Sequence, residues 1–98
     1  MTGMRVGREL EERILQQVAA GSTDRAAWQA LGPASFVAGL LQMLAGLPVP
    51  AAPAWARLAE ELQPGIGRAA DLEAWLATTP LKPARLMPMV RARLAHAG

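Results

Sequence analysis

Few residues in this chain have the types and spacing that chemistry requires. The single histidine, His96, lies two residues from the end of the 98-residue sequence, where fraying works against a preorganised general base. Ser22 and Ser35 read as helix-start residues, and neither sits in a Gly-x-Ser-x-Gly elbow. The acidic pairs Glu11/Glu12 and Glu60/Glu61 are consecutive, which on a helix turns their carboxylates about 100° apart and prevents them from converging on one point. They read as solvated faces. Gly65-Ile66-Gly67 lacks the third glycine, the lysine and the preceding strand of a phosphate loop. With no cysteine in the chain, disulfides, thiolate metal sites and cysteine nucleophiles are excluded. We therefore expect no catalytic residue, no metal site and no cofactor, and read the protein as non-enzymatic.

Two features remain that could recognise a partner. Residues 1–49 carry four basic and four acidic side chains, whereas every charged residue after Glu73 is basic: Lys82, Arg85, Arg91 and Arg93. On one helix, Arg85, Arg93 and His96 would fall within about 80° of each other while Arg91 points elsewhere. That is a thin strip for gripping phosphates. The residues Leu31-Gly32-Pro33-Ala34-Ser35 have the look of a helix-turn-helix turn, but the helix that follows is too apolar to lie in a groove. The second feature is an excess of three Trp and five Met over one Phe and no Tyr. Tryptophan is enriched at interface hot spots and methionine at adaptable binding surfaces. Trp55 and Trp75 read as core; Trp28, on the shortest helix, and Met87 and Met89, beside prolines, read as an exposed patch.

The expected function is thus a small protein-protein interaction module, an adaptor, accessory subunit or regulator. It would dock on a larger protein, or on itself, through Trp28, Met87 and Met89 flanked by Arg85, Arg91 and Arg93. The alternative is a small nucleic-acid-binding regulator that uses the basic C-terminal segment.

The elements that must position these residues are helical. Alanine and leucine dominate, aromatics make up 4% of the chain and β-branched residues are scarce, a balance that favours helix over strand. We expect one all-α domain spanning residues 1–98, a compact bundle of about six short helices around a central apolar helix at about 34–45. That helix, with Phe36 to Ala45 apolar on nearly every side, lies in a stretch from Ala26 to Ala56 without a charge. Pro33 and Pro48 bracket it too closely for the ~20 apolar residues of a membrane span, so it belongs in a core.

Helix 1 is expected over Val6 to Ala20, with Val6, Leu10, Ile14, Leu15 and Val18 inward. Gly21 is its expected stop, and Ser22 or Thr23 the next cap. Helix 2 follows over Asp24 to Leu31. Gly32 takes a left-handed exit and Pro33 opens helix 3, Ala34 to Ala45, in which Gly39 implies a close approach. The three prolines of Gly46 to Pro53 force an extended linker. Helix 4 runs from Pro53 to Leu62 and helix 5 from Arg68 to Ala77, with Thr78-Thr79-Pro80 as the break. Pro83 and Pro88 put a turn at Leu81 to Ala84 and delay helix 6 to Arg85 to His96. Its core stripe is Leu86, Val90 and Leu94.

Ala-Trp recurs at 27–28, 54–55 and 74–75 without the fixed period of a repeat architecture. Six short helices in this length are similar in count and size to the death-fold interaction domains, a likeness of element number with no shared motif. The N-terminal stretch leads into charged Arg8 to Arg13 and not into an apolar run, so neither a signal peptide nor an anchor is expected. Together with the absence of cysteine, this points to the cytoplasm. The strong preference for arginine, with Lys82 the only lysine, reads as a GC-rich, bacterial coding habit.

Overall fold

A computed structural model describes residues 2–66, 68–79 and 81–97. The chain is all-α: α1 (Thr2–Ala20), α2 (Arg25–Gln29), α3 (Ala34–Leu44), α4 (Ala52–Leu62), α5 (Ala69–Thr78) and α6 (Pro83–Ala97), with no strand among the described residues. No described helix is long and apolar enough to cross a membrane. The side chain of Val6, Gly67 and the expected break at Pro80 lie outside the described residues. Contacts divide the chain into two units, one formed by Met1–Ser22 with Pro80–Gly98 and the other by Thr23–Thr79.

The first unit pairs α1 with α6. α1 buries Ile14, Leu15 and Val18, and α6 buries Leu86 and Val90. α1 ends at Gly21, whose φ of 63° is the left-handed conformation glycine adopts without steric cost. The Ser22 amide donates to the Gln17 carbonyl at 3.0 Å and the Gly21 amide to that of Val18 at 3.0 Å, the paired bonds that close a helix after a glycine.

α6 corrects the expected turn at Leu81 to Ala84, because it starts at Pro83 and continues through Pro88. Pro83 suits a first turn, where its missing donor is not needed, and the Lys82 carbonyl accepts from the amides of Arg85 and Leu86. Pro88 removes one bond, to the Ala84 carbonyl. It lies about 180° round the helix from the Leu86/Val90 stripe and is exposed, as is Ala84. The freed carbonyl therefore meets water, and burial of Leu86 and Val90 holds the helix together across the defect.

In the second unit α3 packs against α2, α4 and α5. Seven of its residues, Phe36 to Leu41 and Leu44, are buried, as the apolar run requires. α4 buries Ala52, Trp55, Leu58 and Ala59 and exposes Arg57, Glu60 and Glu61. On α5 Trp75 is buried while Asp71 and Glu73 face out.

Gly39 lets Trp75 lie close against α3: a Cβ there would lie 2.3 to 2.7 Å from Cδ2, Cε2 and Cγ of Trp75. Cδ2 and Cε2 are the ring-fusion atoms, so the indole presents a face to the bare backbone of α3. The close approach that a mid-helix glycine implies is thus made by a ring and not by a second backbone.

Three local expectations are corrected. Asp24, and neither Ser22 nor Thr23, caps α2: its Oδ1 accepts from the Ala26 amide at 3.1 Å. Gly32 is not left-handed; a side chain there would meet the Phe36 ring, 3.2 Å from its Cδ2, and Pro33 sits at the N-cap of α3, one residue before its first turn. The segment after α3 is folded into turns and is not an extended linker. The amide of Leu47 donates to the Leu44 carbonyl, Val49 to Leu47 and Ala52 to Val49, and Leu47 is buried, so an apolar anchor overrides the polyproline preference of its neighbours.

Candidate interaction surfaces

Helical spacing puts Arg85 and Arg93 on one thin strip of α6 and Arg91 elsewhere. The helix carries Arg85, Met89 and Arg93 at four-residue spacing along one flank of the buried Leu86/Val90 stripe, and places Met87 and Arg91 on the opposite flank. Met87 and Met89 are half-buried and Arg91 is exposed. Both arginines of the first flank are engaged by α1. Arg85 Nε donates to Glu11 Oε1 at 2.9 Å, and the Arg93 guanidinium donates to both Glu12 oxygens at 3.2 to 3.3 Å.

The two pairs differ in kind. Glu11 keeps only 10% of its side chain exposed, against 65% for Arg85, so a carboxylate at the edge of the apolar seam is held by a cation that reaches in from solvent. Arg93 and Glu12 are 36% and 52% exposed and form an ordinary surface pair, worth about 0.2 to 1 kcal/mol.

Sequence reasoning placed Glu11 on a solvated face, and this is corrected: the residue is buried. A signal existed. Glu11, Ile14, Leu15 and Val18 follow the i, i+3, i+4, i+7 spacing of one helical face, with the carboxylate occupying the first apolar position.

Trp28 does not lie on an exposed patch. It is fully buried and meets Trp55 edge to face, with centroids 6.1 Å apart and planes at 75°. Five residues make α2 the shortest helix, and a short helix has to commit its one large side chain to the core to be held at all. Of the six partner-binding candidates, then, Arg85 and Arg93 serve the α1–α6 seam, Trp28 serves the core of the second unit, and Met87, Met89 and Arg91 retain accessible surface.

The second unit also carries a concave surface that the sequence does not display. Within Thr23–Thr79, a cleft of about 340 Å³ opens between the start of α3, the 63–66 turn and α5, lined by Ser35, Gln63, Pro64, Gly65, Ile66, Asp71, Trp75 and Thr78. Gly65, at φ 95°, makes the turn that forms one wall. Trp75 forms the aromatic part, with Phe36 tilted beside it at 5.9 Å. The Thr78 hydroxyl donates back to the α5 carbonyls of Ala74 and Trp75, both at 3.2 Å, so its lone pairs remain as acceptors. Among the described residues of the lining, Asp71 alone is formally charged. Its nearest cation, Arg68, is 4.0 Å away, with both side chains at least half exposed. The cleft was invisible in the sequence because Ser35, Gln63, Asp71 and Thr78 come from three separate elements, and each alone reads as a helix-end or surface residue.

No protein-family model, curated protein or solved structure matches this chain. The likeness to death-fold domains accordingly rests on helix number alone.

Proposed function

We propose that the protein is a small, non-enzymatic, cytoplasmic interaction module that docks on a protein partner. The observation that carries this choice over nucleic-acid binding is the commitment of Arg85 and Arg93 to Glu11 and Glu12. A phosphate-gripping strip gains its affinity by exchanging condensed counterions for free cations. Here at least two of the four C-terminal cations, Arg85 and Arg93, already have carboxylate partners, and Arg91 lies on the other flank of α6 from both. The surface left for a partner on the other flank combines an adaptable thioether side chain, Met87, with Arg91, a composition that suits protein docking.

The test uses the full chain with a photo-crosslinking amino acid at position 87 or 91, and at exposed position 57 as a control. We expect one protein adduct from positions 87 and 91 and none from 57. The purified pair should bind with an affinity that changes less than about threefold between 50 and 200 mM salt, as an interface anchored by apolar side chains does. Micromolar binding of generic DNA or RNA at physiological salt, lost on Arg91→Glu, would replace this function with the nucleic-acid one.

A further inference from the structure

We infer that the cleft of the second unit is a receptor for an organic cation on an apolar stem, the lysine or arginine side chain of a protein partner. The inference rests on the protein-docking function for the source of that side chain, and on the cleft for its chemistry.

Charge selects the ligand. Among its described residues the lining carries one formal charge, that of Asp71. Residues 23–79, which form the unit, carry five carboxylates against three arginines, a net charge of −2, whereas residues 1–22 and 80–98 carry seven basic side chains against three acidic ones. The overall positive charge of the chain therefore conceals an acidic unit. The first turn of α3, which reaches the cleft through Ser35, has amides that favour anions. Their effect is that of about half a unit charge, and the full charge of Asp71 outweighs it. Arg68 competes for Asp71 only weakly, since a contact of 4.0 Å between groups 82% and 50% exposed is readily given up.

The remaining groups fit the same ligand. Trp75 is 9% exposed, and as part of the cleft lining that remaining surface offers apolar contact to the methylenes of an incoming side chain. Ile66 adds an apolar wall. Ser35, Gln63 and Thr78 supply hydroxyl and amide oxygens as acceptors for N–H donors that carry no acceptor of their own. A volume of about 340 Å³ is at the small end of ligand sites, enough for one side chain.

The experiment titrates the intact chain, observed by NMR through the Trp75 indole N–H and the amides of residues 63–66, with four neutral-capped amino acids as N-acetyl methylamides: lysine, arginine, norleucine and aspartate. We expect saturable shifts with the lysine and arginine derivatives in the millimolar range, about the affinity open to so small a ligand, and none with aspartate. Norleucine, which keeps the stem and lacks the charge, should bind at least about fivefold more weakly. Asp71→Asn should weaken lysine binding about fivefold at low salt, and Glu73→Gln, the same charge change on α5 outside the cleft, should leave it unchanged. Four results would each overturn the inference: no saturable shift with either cation, equal binding of norleucine, binding of the aspartate derivative, or equal effects of Asp71→Asn and Glu73→Gln. Such a failure is separable from failure of the docking function, because crosslinking at positions 87 and 91 reads α6 and does not depend on the cleft.

Discussion

Gly39→Ala sets two well-understood effects against each other, and the structure says which one wins. An alanine in mid-helix is favoured over glycine by about 1 kcal/mol, so on helix propensity alone the variant would be more stable. The new methyl, however, would stand 2.3 Å from Trp75 Cδ2 and 2.4 Å from Cε2, against the ~3.5 to 4.0 Å of favourable carbon contact. The ring would have to withdraw by more than about 1 Å, and the atoms approached are at its centre, so no rotation of a flexible end relieves the overlap. Trp75 is 9% exposed and has Phe36 beside it, which limits where it can go. Overpacking of this severity costs about 3 kcal/mol, the upper end of the usual range. Net of the propensity gain, Gly39→Ala should lose about 2 kcal/mol.

The assay is urea denaturation followed by tryptophan fluorescence. Trp28, Trp55 and Trp75 all lie in Thr23–Thr79, so the signal reports on the unit that contains the substitution. Trp75→Leu in the same background supplies the internal check: the double variant should recover at least about 1 kcal/mol relative to the sum of the two single changes, because the methyl then has room. A Gly39→Ala protein as stable as the parent, or the absence of coupling in this cycle, would refute the packing of Trp75 on α3.

Other substitutions have outcomes that follow from burial and pairing. Leu40→Ala and Leu41→Ala, at 1% and 0% exposure, should each cost about 2 to 5 kcal/mol in the same fluorescence assay; losses below about 1 kcal/mol would mean that α3 is not the core. Arg85→Ala leaves the nearly buried Glu11 carboxylate without its 2.9 Å partner and should cost about 1 to 3 kcal/mol, whereas Arg93→Ala and Glu12→Ala, at a surface pair, should each change stability by less than about 1 kcal/mol. These need far-UV circular dichroism, because residues 1–22 and 80–98 contain no tryptophan. Pro88→Ala restores an amide donor at an exposed position inside α6; the ~3 kcal/mol penalty of an interior proline, less up to ~1 kcal/mol of unfolded-state entropy that proline removes, predicts a gain of about 2 kcal/mol, and a loss on substitution would show that the proline is required.

What the sequence determined by itself was what local rules govern. Glycine and proline punctuation, alanine and leucine content and the uncharged stretch from Ala26 to Ala56 were enough for the all-α class, for the six helices and for the burial of α3, because backbone preference and hydrophobic periodicity act over single turns of chain. Where local rules failed, the deciding term was long-range. Pro88 stays helical because Leu86 and Val90 are buried on the opposite side, and the prolines after α3 are folded back because Leu47 is anchored. Trp28 is core because Trp55, 27 residues later, meets its ring.

Charge shows the same division. The sequence displays a run of C-terminal cations, but only tertiary pairing decides that Arg85 and Arg93 meet Glu11 and Glu12, 74 and 81 residues away. The cleft beside Trp75 lies wholly on the tertiary side. Its acceptors are ordinary surface residues until α3, the 63–66 turn and α5 are brought together, and that assembly depends on a glycine at position 39 small enough to let an indole lie against the helix.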